Sequence, residues 1–242
     1  MSAEISVVVP VCNEAENVAP LAREIAAALQ GRNYEMLFVD DGSTDDTVAR
    51  LQRLRSEGLN TLRILRHSFR SGQSAAVATG VRAARGVWIA TLDGDGQNDP
   101  ADIPNLIAAR DDPANAGVLL FMGNRSASRK DTGYRRLQSR IANGVRGSML
   151  GDGTPDTGCG IKLFSRAAFL DLPYFDHMHR FMPALFQRRG NRVISVPVGH
   201  RPRERGVSKY GMFDRLWVGI VDIFGVMWLR RRYRPGLSST EE

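Results

Sequence analysis

The sequence feature that most constrains this chain is an apolar run over residues 87–92 that ends abruptly in the polar stretch DGDGQ. An unbroken apolar run with β-branched residues, closed by turn residues, predicts a buried strand. Residues two apart in an extended chain point to the same side, so Asp93 and Asp95 project together from the strand tip. Since two carboxylates this close repel each other, a cation between them is favoured.

The type of ligand indicates which cation this strand tip suits. Hard oxygen ligands with no His or Cys nearby favour Mg²⁺ or Mn²⁺ over zinc, and these ions fill their shells with phosphate and water. We therefore predict a metal site for a diphosphate, formed by Asp93, Asp95 and the next polar residue, Gln97. An ordinary solvated loop remains an alternative, as does a phosphatase of the haloacid-dehalogenase type. A calcium EF-hand is excluded because its twelfth position would be Pro104.

Strand and helix patterns alternate through the first hundred residues. Apolar β-rich runs over 5–9, 34–39, 62–65 and 87–92 alternate with helical patterns over 18–29, 47–55 and 74–84. This alternation predicts an α/β fold with a mostly parallel central sheet flanked by helices. In such sheets ligands bind at the carboxyl ends of the strands, where each acidic loop of this region lies. The first loop reads PVCNEAE and lacks G-x-G-x-x-G, which excludes a dehydrogenase-type dinucleotide site.

The second half of the chain has a looser pattern. We predict helices over 101–110 and 137–150, strands over 118–122, 161–164 and 192–198, and a mostly helical segment over 169–189. The polar loop between 123 and 136 is either a solvated surface or a phosphate clamp, because it carries several cations: Arg125, Arg129, Lys130, Arg135 and Arg136. A glycine-rich loop over 151–160 places Asp156 beside flexible backbone.

Composition and charge indicate the compartment of the protein and the type of partner that it binds. At 242 residues and 43% hydrophobic content the chain can bury a sizeable core, and its two unpatterned cysteines fit a reducing compartment. We expect a cytoplasmic protein because the start lacks the features of a secretory signal. The formal charge is +7, and between His200 and Arg234 nine Lys or Arg stand against three acids. Such a basic cluster predicts a polyanionic neighbour.

The apolar segment over 216–229 is shorter than the roughly 20 residues that span a bilayer. On a helix, Trp217, Val221, Phe224 and Trp228 share one side, and an arginine run follows at once. This predicts an amphipathic helix on an anionic membrane surface. The alternative is a buried helix with a solvated basic end. We expect a catalytic domain over 1–212, a basic membrane-associating helix over 213–234 and a disordered tail over 235–242.

Several motifs together resemble family 2 glycosyltransferases, in particular the polyprenyl- or dolichol-phosphate sugar transferases. They are VVVPVCNEAENV, VDDGSTDDT, GQSAAVATG, DGDGQNDP, GNR with RRLQSRIAN, DTGCGIKLFSR and HRPRERGVSKYG, and they occur in the expected order. The resemblance implies a GT-A fold, a nucleotide-sugar donor, a divalent cation and a polyprenyl-phosphate acceptor. Two departures stand out: Cys12 replaces a common Tyr or Phe, and no transmembrane helices follow.

The resemblance also implies roles for single residues. Pro10, Asn13 and Glu14 would border the nucleotide, Asp41 would reach its base or ribose, and Gln73 would lie nearby. Asp93, Asp95 and Gln97 would hold the metal against the donor diphosphate. The acceptor phosphate and the donor phosphates would be surrounded by Arg125, Arg135, Ser139, Arg203 and Lys209.

The residues themselves favour a phosphate acceptor. A hydroxyl acceptor needs a general base, whereas a phosphate monoester, with its second pKa near ~6, is already an oxyanion at neutral pH. Asp156 is the one carboxylate that we keep as a possible base. We predict an inverting, metal-dependent transferase that moves a sugar from a GDP- or UDP-linked donor to polyprenyl phosphate. It would act peripherally at the cytoplasmic face of the cell membrane.

Three alternatives to this function remain open: a transferase with a hydroxyl acceptor, a phosphatase, and a non-catalytic membrane-surface protein. Nucleic-acid binding is disfavoured because the basic end lies beside an apolar helix and not a readout motif. A homo-oligomer remains possible.

Overall fold

A seven-stranded sheet forms the centre of the computed structural model, which describes residues 3–126, 147, 149–201 and 212–234, with 212–218 described by backbone only. The strand order is β3-β2-β1-β4-β6-β5-β7. Strand β6 runs antiparallel to both of its neighbours, β4 and β5, and the remaining pairs are parallel. The strands are β1 (Ile5–Val11), β2 (Tyr34–Asp40), β3 (Leu62–Arg66), β4 (Trp88–Thr91), β5 (Leu120–Asn124), β6 (Lys162–Ser165) and β7 (Val193–Pro197).

Helices cover both faces of this sheet. They are α1 (Ala15–Ala28), α2 (Thr47–Ser56), α3 (Gln73–Ala83), α4 (Ile103–Asp111), α5 (Arg166–Leu170), α6 (Met182–Arg188) and α7 (Met212–Arg231). Short 3₁₀ turns occur at Pro100–Asp102, Pro113–Asn115 and Met178–Arg180. Among the described residues, no helix combines the length and apolarity needed to cross a membrane.

The hydrophobic core is divided by the sheet into two layers. Val7 and Val9 of β1 are buried on the side of α1, whereas Val8 is buried on the side of α3. This alternation is the period of two that an extended strand imposes. Helix α3 approaches closely because it is rich in small residues: a Cβ on Gly80 would overlap Val8 Cγ1 and lie 3.1 Å from Val39 Cγ2. The N-terminus of α3 is thereby fixed beside the carboxyl ends of β1 and β2.

A buried carboxylate joins the amino ends of the first strands, opposite the acidic loops. Glu35 of β2 accepts hydrogen bonds of 2.6 Å from Ser6 Oγ, from the Arg85 backbone N–H and from Arg63 Nη1. Burial by itself would raise the pKa of Glu35, but these three donors outweigh it and lower the pKa below its ordinary value. Gly86 N donates to Ser6 Oγ at 2.9 Å, which adds the turn before β4 to the network.

Helix α7 has one buried side and one exposed side. Val226 is fully buried in the core layer that also contains α3. The outer side carries an apolar stripe that is 39–60% exposed: Ile220, Val221, Phe224 and Trp228. Arg188 Nε of α6 donates to the Leu229 carbonyl at 2.8 Å, which fixes the end of α7 on the body of the protein.

The predicted sheet and its flanking helices are confirmed, with strand ends shifted by two residues or fewer. The antiparallel direction of β6 was not predicted from the sequence. The segment predicted as mostly helical over 169–189 is interrupted between α5 and the 3₁₀ turn, where His177 adopts a left-handed φ of 62°. Most of the helix predicted over 137–150 lies outside the described residues, as does the tail over 235–242.

Candidate active site

The paired aspartates lie in the loop that follows β4. Asp93 Oδ1 accepts a hydrogen bond of 2.8 Å from Gln73 Nε2, and its backbone N–H donates to Asn98 Oδ1 at 3.1 Å. Asp95 Oδ1 accepts from the Gln97 backbone N–H at 3.1 Å, which folds the loop back on itself. Burial and the neighbouring charge of Asp95 raise the pKa of Asp93. A divalent cation at this position would offset the cost of keeping both carboxylates ionised.

The loop lies directly against the end of β1. A Cβ on Gly94 would lie 2.7 Å from Val11 Cγ1 and 2.9 Å from the Pro10 carbonyl oxygen, so no other residue fits without a shift. Pro10, which we predicted to border a nucleotide, is therefore a neighbour of the predicted metal ligands. The two loops together form one side of a site at the carboxyl edge of the parallel strands.

The described residues contain no group of three or more His, Cys, Asp or Glu side chains that could hold a metal ion. The predicted protein ligands are thus two carboxylates, Asp93 and Asp95, and Gln97, whose backbone N–H donates to Asp95. Such a donor set fits Mg²⁺ or Mn²⁺, which take oxygen ligands and complete their shells with substrate phosphate and water. It does not fit a structural zinc site, which needs four protein ligands.

The loops after β1 and β2 are tied together by short hydrogen bonds. Asn13, at a φ of 52°, donates from its backbone to Ser43 Oγ at 2.8 Å and accepts from the Thr44 N–H at 2.8 Å. The Glu14 N–H donates to Thr47 Oγ1 at 2.9 Å. Both residues therefore connect the two loops, and the nucleotide contacts predicted for them stay a prediction.

Asp41 is buried and connects the loop after β2 to the start of α3. Its Oδ1 accepts from the Ser71 N–H and its Oδ2 from the Gly72 N–H, each at 2.8 Å. His67 Nδ1 lies 2.8 Å from Asp41 Oδ1, a partner that sequence reasoning missed although His67 directly follows β3. These contacts bring Gln73 to Asp93. The predicted contact of Asp41 with a base or ribose stays a prediction.

Arg125 and Asp156 form a nearly buried bidentate ion pair at the end of β5. Arg125 Nε donates to Asp156 Oδ2 at 2.8 Å and Nη2 donates to Oδ1 at 2.9 Å, while the Arg125 backbone N–H donates to Oδ2 at 3.1 Å. Burial opposes the charge on Arg125, but the carboxylate of Asp156 outweighs it and raises the pKa of the guanidinium. A role for Asp156 as a base stays a prediction, and it would require this pair to open.

Two further side chains of the site were not assigned a role from the sequence. Lys162, the first residue of β6, is 5% exposed and donates from Nζ to the Cys159 carbonyl, and burial lowers its pKa against the opposing charge of Asp93. His179 Nδ1 lies 2.7 Å from Ser74 Oγ at the start of α3. Burial, followed by the charges of Lys162 and Arg180, holds the pKa of His179 well below its ordinary value. A lysine within the apolar strand predicted over 161–164 was the available signal for Lys162.

Four of the predicted phosphate-binding residues lie outside the described residues: Arg135, Ser139, Arg203 and Lys209. The same holds for Arg129, Lys130, Arg136 and the side chain of Trp217. The structure therefore brings together Asp93, Asp95, Gln97, Gln73 and Pro10, and it leaves the acceptor-phosphate predictions untested.

Solved structures show the fold that this chain shares. It resembles glucosyl-3-phosphoglycerate synthase from Mycobacterium tuberculosis in complex with Mn²⁺, UDP and glucosyl-3-phosphoglycerate, with a TM-score of 0.69, 21% identity, and coverage of 95% of this chain and 80% of that chain. A crystal structure of the same synthase with Mg²⁺ and UDP has a TM-score of 0.69 at 20% identity, over 95% and 79% of the two chains. The predicted GT-A fold is confirmed.

Curated relatives agree with the predicted family. Dodecaprenyl-phosphate galacturonate synthase of Rhizobium johnstonii is 37% identical over 241 residues, which cover 97% of this chain and 70% of the relative. Undecaprenyl-phosphate 4-deoxy-4-formamido-L-arabinose transferase of an Enterobacter species is 35% identical over 88% of this chain, which spans 64% of that relative's length. A family model described as glycosyl transferase family 2 matches residues 6–172. The chain therefore belongs to glycosyl transferase family 2, and its resemblance to the polyprenyl-phosphate sugar transferases is confirmed.

Proposed function

We propose that this glycosyltransferase moves a sugar from a nucleoside diphosphate donor to a polyprenyl phosphate, with a divalent cation bound at the tip of β4. The observation that carries the proposal is the pair Asp93 and Asp95 in the loop after β4, with Asp93 held by Gln73 and Asp95 by the Gln97 backbone. The identity to a dodecaprenyl-phosphate galacturonate synthase supports the choice of acceptor.

Each group of the site has a part in this reaction. Asp93, Asp95 and Gln97 would hold the cation, which would supply neutralisation of the negative charge on the departing diphosphate. Gln73 orients Asp93 through its amide, and Asp41 fixes the loop that carries Gln73. Pro10, Asn13 and Glu14 line the nucleotide side, next to this loop.

The Arg125–Asp156 pair bears on the choice between a phosphate and a hydroxyl acceptor. Both oxygens of Asp156 accept hydrogen bonds from Arg125, so this carboxylate is poorly placed to take a proton from an acceptor. A phosphate monoester needs no such base at neutral pH. The pair thus supports a phosphate acceptor, which attacks as an oxyanion in a single inverting displacement.

The deciding experiment combines the purified protein with Mn²⁺, a polyprenyl phosphate and a panel of UDP- and GDP-sugars that includes UDP-galacturonate. We expect a labelled sugar to enter the lipid extract with one donor, and EDTA to abolish the transfer. Transfer to soluble hydroxyl acceptors alone would contradict the proposed acceptor. Release of phosphate without a nucleotide would favour the phosphatase alternative, and vesicle binding without turnover would favour a non-catalytic protein.

We also propose that α7 lies on the cytoplasmic surface of an anionic membrane. Its outer stripe of Ile220, Val221, Phe224 and Trp228 exposes apolar side chains to solvent, and Arg231, Arg232 and Arg234 are exposed just beyond it. Apolar groups beside a cluster of arginines match the boundary between acyl chains and anionic headgroups. This placement would bring the site to the layer in which a polyprenyl phosphate resides.

Replacing both Phe224 and Trp228 with serine should weaken binding to vesicles that contain anionic lipid by at least about tenfold, because both side chains are removed from the apolar contact. Cosedimentation with phosphatidylglycerol vesicles measures the effect. The control is Val87→Ser, which removes an apolar side chain that is 66% exposed just before β4 and does not belong to α7. Equal binding of the double variant and the wild type would contradict the membrane role of α7.

A further inference from the structure

The turn over residues 158–160 packs directly against the first aspartate of the site. A Cβ built on Gly160 would overlap the Asp93 carboxylate and lie 2.5 Å from Asn98 Oδ1. The backbone of this turn is therefore in contact with one side of Asp93. The other carboxylate oxygen, Oδ1, accepts the hydrogen bond from Gln73. Asp93 is thus enclosed between an amide donor and a stretch of backbone.

Two side chains anchor this turn from the sheet. Thr91 Oγ1 donates to the Gly160 carbonyl at 2.8 Å, and Lys162 Nζ donates to the Cys159 carbonyl. Thr91 and Lys162 are direct cross-strand partners in the antiparallel pair of β4 and β6, and both are nearly buried. The turn is therefore held at two successive carbonyls by neighbouring residues of the sheet.

Burying a lysine to hold a turn has a large free-energy cost. Taking an ammonium group out of water costs several kcal/mol, which favourable contacts in the folded protein have to offset. The negative charges of Asp93 and Asp156 act against this cost, but burial outweighs them and lowers the pKa of Lys162. These observations connect Lys162 to the metal-binding aspartate and not to the stability of β6 alone.

We propose that Lys162 and Thr91 are positioning residues, which hold the turn over 158–160 against Asp93 and so fix its carboxylate for the divalent cation. The inference rests on the proposed function and adds two residues to the machinery of metal binding. Residues that orient metal ligands without touching the metal typically change metal affinity by 10- to 100-fold when they are replaced.

The test compares Lys162→Met and Thr91→Val with the wild type in the presence of UDP or GDP. Electron paramagnetic resonance of free Mn²⁺ gives the metal dissociation constant without turnover, and the Mn²⁺ dependence of activity gives a second value. We expect each variant to bind Mn²⁺ about tenfold more weakly. We expect a smaller change in kcat at saturating Mn²⁺. Lys162→Arg, which keeps a cationic donor, should recover part of the affinity.

Leu163→Ala is the matched control, because Leu163 follows Lys162 in β6 and is fully buried in the core on the opposite face of the sheet. It should lower the melting temperature and leave the Mn²⁺ constant unchanged. Wild-type Mn²⁺ constants in both Lys162→Met and Thr91→Val would overturn the inference, and so would an equal shift in Leu163→Ala. If Lys162→Met does not fold, Thr91→Val decides. Wild-type protein that binds no Mn²⁺ with either nucleotide would instead contradict the proposed function.

Discussion

Asp95→Ala should lower the rate of sugar transfer by about 10³-fold or more, while the protein remains folded. Asp95 lies in the loop after β4, outside the hydrophobic core, so its removal opens no core cavity. What would be lost is one of the two carboxylates proposed to hold the cation, and with it charge neutralisation on the leaving diphosphate. A 10³-fold loss corresponds to about 4 kcal/mol of transition-state stabilisation.

Single-turnover transfer at saturating donor and Mn²⁺ measures this effect, and thermal unfolding verifies that the variant is folded. The control is Asp46→Ala, because Asp46 is an exposed acid in the loop after β2, at the same edge of the sheet. It should retain wild-type activity. An active Asp95→Ala protein would remove the main support for the proposed metal site.

Glu35→Ala should lower the free energy of unfolding by about 3 kcal/mol. Glu35 accepts three hydrogen bonds of 2.6 Å, and its removal leaves Ser6, Arg63 and the Arg85 N–H without that acceptor. Since the network lies at the amino ends of the strands, catalysis by the folded variant should be unchanged. Urea unfolding at pH 7 measures the loss.

The stabilisation by Glu35 should also depend on pH. Its pKa is lower in the folded protein than in the unfolded chain, so the contribution of its charge is complete above the unfolded value of about 4.3. It is lost as the pH falls through the lower folded value. The difference between wild type and Glu35→Ala should therefore shrink below about pH 4. A control is Glu57→Ala, which breaks exposed ion pairs and should cost less than about 1 kcal/mol. A Glu35 difference that is constant from pH 7 to pH 3 would indicate lost packing and not lost charge.

Local patterns were sufficient to predict the first half of the fold. Runs of apolar residues and helical periodicities located β1 to β4 and their helices, because each of these elements buries a regular face. The rule that parallel strands deliver their loops to one edge then predicted that Pro10, Asp41 and Asp93 lie close together. Both steps use information that lies within about ten residues of each position.

The parts that were not predicted depend on contacts between distant segments. The four residues of β6 give no signal for strand direction, which is established by their pairing with β4 and β5. Glu35 occupies an apolar strand, and its acceptance of three donors depends on residues 28 to 50 positions away. Likewise, the Asp41 carboxylate contacts His67, Ser71 and Gly72, which belong to the next strand–helix unit along the chain.

The reversed direction of β6 determines how the chain reaches the site. The parallel strands bring to the site the residues that follow them in the sequence. Because β6 runs in the opposite direction, it brings to the site the residues that precede it. The segment that reaches the aspartates is therefore the one that leads into β6 at Lys162, after Asp156 and its turn. An insertion upstream of residue 156 would lengthen the segment that leads into β6 and leave the lengths of the loops that follow β1, β2 and β4 unchanged.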